Sequence, residues 1–198
     1  MTEIHREEIS LPTLTGGPLP VTLSYIVKSE PNAVPPYPFT FLHTVRSGSA
    51  NLSGSLAGSP DAWSYYSKLS GILQGVKEWS ESNQFDIAIL APSSRHDAEP
   101  FFAAVFNAQR NCEDYSPYFA KPLCFRAGEA KALWQAMNAI TSSLVKLPHD
   151  TQRVLIVDDV YSRGLTAAAI VHRLRTQGGL SLDARITVFT PAWIPRNG

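Results

Sequence analysis

The stretch VLIVDDVYSRGLT, from Val154 to Thr166, decides the fold of this chain. Four apolar residues typical of a buried strand lead directly into Asp158 and Asp159, and a helical pattern begins near Thr166 after a short loop. In an open parallel sheet, ligands bind beyond the carboxyl ends of the strands. A helix that begins there offers unpaired N–H groups and the positive end of its dipole to an anion. The stretch therefore predicts an anion-binding turn beside an acidic pair.

The residue types of this turn favour a sugar phosphate over inorganic phosphate. Gly164 lets the backbone approach a ligand closely, and Ser162 and Thr166 can donate hydroxyl groups. The carboxylates cannot bind the phosphate, but they can accept hydrogen bonds from sugar hydroxyls or hold Mg²⁺. The alternative is a plain doubly wound protein, because many such folds have a strand that ends in two aspartates. Since the turn is expected to lie at the surface end of the sheet, we expect valine at position 164 to abolish phosphate binding and leave the fold largely intact, with a loss of about 1 to 3 kcal/mol of stability if φ is positive there.

Outward from this stretch, short apolar runs alternate with helical patterns, which is typical of crossover units. Strands are predicted at DIAIL, residues 86–90, and at RITVF, residues 185–189. Helices are predicted over about residues 97–110, 128–146 and 166–177. Residues 83–198 are therefore predicted to form an α/β core: an open, mainly parallel, twisted sheet with helices on both faces.

Residues 1–82 have a different texture and are predicted to form an N-terminal flap attached to this core. Alternating apolar residues predict short strands over residues 21–28 and 39–45, and a helix is predicted from about Pro60 to Glu81. Between them, residues 47–60 are rich in glycine and serine. Whether this loop is a lid that excludes water or only a linker stays open.

The composition excludes several classes of protein. Seventeen basic residues balance seventeen acidic residues over 198 positions, so an extended nucleic-acid surface is not expected. No apolar run approaches the roughly 20 residues that span a bilayer, so no membrane association is expected. Cys112 and Cys124 lack metal-ligand spacing and favour free thiols in a reducing cytoplasm.

The whole of VLIVDDVYSRGLT resembles the phosphoribosyl pyrophosphate motif of type I phosphoribosyltransferases. The resemblance implies that fold, with the N-terminal flap as its hood. It also implies that Asp158 and Asp159 face the ribose hydroxyls as catalytic residues and Mg²⁺ ligands. Arg163 departs from the threonine or alanine of many members. The residues implied to bind the ribose 5-phosphate are Tyr161, Ser162, Arg163, Gly164, Leu165 and Thr166.

Within this superfamily the sequence most resembles the ComF-like branch, through the pattern DxxxLAPSSR at residues 86–95. This resemblance implies roles for further residues. The loop after the first core strand receives pyrophosphate in this family, so Ser93, Ser94 and Arg95 are candidates for that contact. The alternative is that these residues form a solvent-exposed turn that only caps the next helix. Lys121 and Arg126 are weaker candidates for the diphosphate. Trp193 either stacks on a nucleobase or closes the end of the sheet against residues 1–82.

Two functions follow from the resemblance. The first is an enzyme that uses Mg²⁺ to transfer phosphoribosyl from phosphoribosyl pyrophosphate to a nitrogen acceptor and releases pyrophosphate. The second is a non-catalytic regulator or effector subunit that senses a nucleotide and acts through a protein partner, for example in a bacterial defence operon. The sequence does not identify the acceptor, the pathway, or whether the chain forms a homo-oligomer.

Overall fold

A computed structural model describes residues 2–14, 17–28, 60–92, 98–121, 133–144 and 146–195. The strand predicted over residues 39–45 and nearly all of the loop at 47–60 lie outside these ranges. The helices are α1 (Pro60–Glu81), α2 (Glu99–Phe106), α3 (Leu133–Ala139) and α4 (Leu165–Thr176), with a 3₁₀ turn at Ser116–Tyr118. The strands are β1 (His5–Leu11), β2 (Leu19–Lys28), β3 (Ile87–Leu90), β4 (Glu113–Asp114), β5 (Phe119–Ala120), β6 (Thr141–Ser142), β7 (Arg153–Val157), β8 (Val160–Tyr161) and β9 (Arg185–Trp193).

One sheet organises the described residues. Its strand order is β1-β2-β9-β7-β3-β4, and the short strand β8 also pairs with β9. Strands β1 and β2 are antiparallel, whereas each of the other neighbouring pairs is parallel. The predicted α/β class with a mainly parallel sheet is therefore confirmed.

The two faces of the sheet bury separate apolar clusters. In β7, Val154 and Ile156 pack with residues of α3 and α4, while Leu155 and Val157 pack with residues of α1 and α2. All four side chains are fully buried. This alternation is expected of a central strand, whose successive side chains point to opposite faces. Helices therefore cover both faces of the sheet.

Several elements differ from their predicted bounds. The helix predicted over residues 97–110 is shorter, Glu99–Phe106. The helix predicted over residues 128–146 ends at Ala139, because the chain then pairs as β6 with β5 and Ser143 N–H donates to the Tyr118 carbonyl at 3.0 Å; its predicted start lies outside the described ranges. The last strand runs four residues beyond the predicted end and includes Trp193. Strand β1 was not predicted, since its sequence HREEISL is mostly charged and has an exposed side.

The N-terminal strands extend the main sheet. Strand β2 pairs along its length with β9, and β1 pairs with β2 as the edge strand. The predicted hood over residues 1–82 and the boundary at 82/83 stay predictions, because residues 29–59 lie outside the described ranges. Within those ranges, no helix combines the length and the apolar character needed to cross a membrane.

Candidate functional site at the carboxyl end of the central strands

The strand order reverses between β3 and β7. After β3 the chain passes through α2 to β4 on one side, and it later returns to β7 and then β9 on the other side. Ligands of open α/β sheets bind in the crevice outside the carboxyl ends of the strands at such a reversal. Asp158 follows β7 directly, and its N–H donates to the Phe189 carbonyl at 2.9 Å. The acidic pair thus lies at the reversal point, at the end of an interior strand.

The two carboxylates are held by backbone groups of their own turn. Asp159 N–H donates to Asp158 Oδ1 at 3.0 Å, and Val160 N–H donates to Asp159 Oδ1 at 2.7 Å. Burial raises the pKa of Asp158 well above its usual range, and the negative charge of Asp159 raises that pKa further. The positive charge of Lys121 acts in the opposite direction. A buried carboxyl group beside a second negative charge favours its protonated form or a nearby cation.

The amino end of α4 begins at Gly164, five residues after Asp159. Gly164 has φ 69° and ψ 14°, in the left-handed region, and no side chain caps the helix. The first helical hydrogen bond runs from Ala168 N–H to the Gly164 carbonyl at 2.8 Å. The amides of residues 165–167 precede this bond and lie at the positive end of the helix dipole. They are the groups that can bind an anion here.

The side chain of Tyr161 packs against Gly164 and is only 5% exposed. A Cβ on Gly164 would clash with the Tyr161 hydroxyl and would lie 2.9 Å from Leu11 Cδ2. Burial raises the pKa of Tyr161, and the nearby charge of Asp158 adds to the effect. Valine at position 164 would therefore displace core side chains. Gly164 is buried and packed against the core, contrary to the surface position expected for it, and the effect of valine on the fold stays a prediction.

The other turn residues are more accessible. Ser162, Leu165 and Thr166 are half-buried, whereas Arg163 is exposed. Ser162 and Thr166 are therefore partly accessible to solvent, whereas Tyr161 lies within the core.

The predicted pyrophosphate residues Ser93, Ser94 and Arg95 lie outside the described ranges, as does Arg126. The chain that leads into them begins beside the acidic pair, because Ala91 N–H donates to the Val157 carbonyl at 2.8 Å. Lys121, which follows β5, lies within the described ranges and acts on Asp158 electrostatically. It is the basic candidate that the structure relates to the acidic pair.

Trp193 is packed against the N-terminal strands. It is 9% exposed, and its ring meets that of Tyr25 edge-on at 5.1 Å and 63°. Lys28 Nζ lies 3.9 Å from its ring centroid and also donates to Glu7 Oε1 at 2.8 Å. These contacts correspond to the alternative in which Trp193 closes the end of the sheet against residues 1–82. Stacking of a nucleobase would have to displace Lys28 or use another part of the ring.

The acidic pair offers two carboxylates as possible metal ligands. Within the described ranges, no group of three or more His, Cys, Asp or Glu side chains could hold a metal. Mg²⁺ commonly takes one or two carboxylates and completes its shell with water and phosphate oxygens. Asp158 and Asp159 fit that arrangement if a phosphorylated ligand supplies the remaining oxygens.

Sequence reasoning missed Thr190 as part of this site. Its side chain is fully buried, and its hydroxyl oxygen accepts a hydrogen bond from Tyr161 N–H at 3.1 Å. The apolar run RITVF had suggested that the strand ends before this residue. The only sequence signal was Pro191 directly after it, which marks a break in strand pairing.

Comparisons with known proteins add little to this geometry. No protein-family model and no curated protein matches the chain. Among solved structures, it is similar to the UMP synthase of Leishmania donovani, with 20% identity and a TM-score of 0.33. The match covers 74% of this chain and 29% of the length of that protein. A likeness of this size carries no argument, so the site rests on its own topology and turn.

Proposed function

We propose that this chain binds the ribose 5-phosphate group of phosphoribosyl pyrophosphate or of a nucleotide at the turn between β7 and α4. One observation carries the proposal. An acidic pair and the uncapped amino end of a helix lie within one turn, at the point where the strand order reverses. The helix end favours a phosphate, and the carboxylates favour the hydroxyls of the attached sugar.

In this proposal the phosphate accepts hydrogen bonds from the amides of residues 165–167 and from the hydroxyls of Ser162 and Thr166. Asp158 and Asp159 accept hydrogen bonds from the ribose hydroxyls. The positive charge of Lys121, which already acts on Asp158, attracts the diphosphate. Mg²⁺ held by the acidic pair would offset part of the diphosphate charge.

The reaction that this arrangement suits best is phosphoribosyl transfer. The bond between the ribosyl carbon and pyrophosphate breaks, a bond from that carbon to a nitrogen acceptor forms, and pyrophosphate leaves. The protein contributes by holding both reactants in place and by stabilising the changing charges. Carboxylates beside the ribose favour the positive charge that develops on the sugar as pyrophosphate departs.

The second candidate is a non-catalytic nucleotide sensor that acts through a protein partner. The packing of Trp193 favours it, because the contacts with Tyr25 and Lys28 correspond to the packing role predicted for Trp193 and not to stacking on an acceptor base. An aromatic surface patch for a partner does not support this candidate. Tyr118 is 43% exposed, but the neighbouring Tyr115 and Phe119 are buried.

Calorimetry with phosphoribosyl pyrophosphate and Mg²⁺ tests the binding site. We expect wild type to bind and Asp158→Asn and Asp159→Asn each to bind about tenfold more weakly, because an amide holds Mg²⁺ poorly and accepts fewer hydrogen bonds. Asp183→Asn is the matched control. Asp183 is exposed and precedes the amino end of β9, whereas the acidic pair lies at the carboxyl ends of the strands. Equal affinity in wild type and both site variants would refute the proposed role of the pair.

A pyrophosphate release assay over a panel of nucleobases then separates the two candidates. Release that requires one base and is lost in Asp158→Asn supports the transferase. Tight binding without release for any base supports the sensor.

A further inference from the structure

Strands β7 and β8 lie one after the other along β9 and pair with it in the same register. Together, β7 and β8 are called the β7 line below. Val157 pairs with Phe189 and Val160 pairs with Ala192, an offset of 32 residues in both cases. No residue is therefore inserted between β7 and β8. The pairing is interrupted only where the acidic pair stands opposite Thr190 and Pro191.

Two features coincide with the interruption. The Phe189 carbonyl accepts from Asp158 N–H before it, and Ile194 N–H donates to the Tyr161 carbonyl after it, so the residues of β9 that face the β7 line change from odd-numbered to even-numbered between positions 189 and 194. Pro191 lies within that change and has no N–H to donate, and Val160 N–H is donated to Asp159 Oδ1. The ladder thus stays open at the acidic pair.

Thr190 supplies the bonds that hold the open segment. Its hydroxyl oxygen accepts from Tyr161 N–H, and it lies 2.9 Å from the Ala192 carbonyl and 3.3 Å from the Asp159 carbonyl. Its single proton can be donated to one of these carbonyls at a time. This buried side chain therefore links the base of the anion turn to β9 through Tyr161 N–H, and its hydroxyl also lies within hydrogen-bond distance of the Asp159 carbonyl.

We propose that Thr190 is a positioning residue that fixes the acidic pair relative to the amino end of α4. The inference rests on the proposed function of that turn. Tyr161 transmits the constraint, because its N–H is held by Thr190 while its side chain packs against Gly164. Losing the hydroxyl would let the two halves of the site move apart, even though no atom of Thr190 needs to touch the ligand.

Two substitutions at this position separate positioning from packing. Thr190→Val keeps the shape and removes the hydroxyl, and Thr190→Ser keeps the hydroxyl. The readout is the Kd for phosphoribosyl pyrophosphate with Mg²⁺, measured by calorimetry at a temperature where melting curves show each variant folded. We expect Thr190→Val to bind about tenfold more weakly and Thr190→Ser to bind within about twofold of wild type.

Ser80→Ala is the control for stability. Ser80 is also fully buried, and its hydroxyl donates to the Val105 carbonyl at 2.9 Å. This bond joins α1 to α2. Ser80 lies just before the amino end of β3, whereas the acidic pair lies at the carboxyl ends of the strands. This variant should melt at a lower temperature and keep the wild-type Kd.

An unchanged Kd in Thr190→Val would overturn the inference. Should Thr190→Val fail to fold, Thr190→Ala decides, because it also removes the hydroxyl and should weaken binding at least about threefold. An unchanged Kd in Thr190→Ala would then overturn it. If wild type itself does not bind, the proposed function fails and the inference fails with it.

Discussion

Two aspartates of this chain show how surroundings set the role of one residue type. Asp86, before β3, accepts from Gln152 N–H and Arg153 N–H at 2.8 Å each and from Arg153 Nη2 at 2.9 Å. Burial alone would raise the pKa of Asp86, but these hydrogen bonds outweigh it and lower the pKa. Burial and a neighbouring carboxylate raise the pKa of Asp158 instead. The hydrogen bonds of Asp86 favour its charged form, whereas the surroundings of Asp158 disfavour its charge.

The lowered pKa of Asp86 predicts a pH-dependent contribution to stability. The contribution is present above the unfolded pKa of about 3.9 and is lost as the pH falls through the folded value. Asp86→Asn should therefore reduce the free energy of unfolding by about 1 to 2 kcal/mol at pH 7 and by less at pH 3. Urea unfolding at both pH values measures this, with the exposed Asp183→Asn as control. A deficit of equal size at both pH values would contradict the assignment.

Gly164 and Gly179 form a matched pair for testing the turn. Both have positive φ, 69° and 74°, but a Cβ on Gly179 would meet no atom within 4 Å. Gly179→Ala should cost about 1 to 2 kcal/mol of unfolding free energy through backbone strain alone. Gly164→Ala should cost about 1 to 3 kcal/mol more, because it also clashes with Tyr161 and Leu11. Equal losses in denaturant unfolding would show that Tyr161 is not packed against the turn.

At the scale of elements, local pattern predicted the helix α4 but not the extent of α3. Helix α4 follows a strand and a glycine within one continuous stretch, so its position is encoded locally. Helix α3 ends at Ala139 because β6 pairs with β5, more than 20 residues earlier in the chain. That pairing depends on tertiary contacts, which apolar periodicity does not report.

Helix α4 should depend on its buried face for stability. Leu174 is fully buried, while Leu182, just beyond the helix, is 78% exposed. Leu174→Ala should lower the free energy of unfolding by about 2 to 5 kcal/mol, since it leaves a cavity in the cluster shared with α3. Leu182→Ala should change it by no more than about 0.5 kcal/mol. Similar effects of the two substitutions in guanidinium unfolding would argue against this packing.

At the scale of the whole molecule, the sheet order brings the candidate site together. The acidic pair and the turn at Gly164 were predictable, because they are contiguous and follow a strongly apolar strand. The burial of Tyr161 and the part taken by Thr190 were not predictable. Both depend on β1 and β9, which lie far away in sequence and whose register no local pattern specifies.

The central claim is that a sugar phosphate binds at the amino end of α4 beside the acidic pair. Amide chemical-shift mapping during a titration with ribose 5-phosphate and Mg²⁺ tests this most directly. The largest shifts should fall on the amides of Leu165, Thr166 and Ala167 and should follow a single saturation curve. Saturable binding that leaves these three amides unmoved, or no binding at all, would contradict the claim.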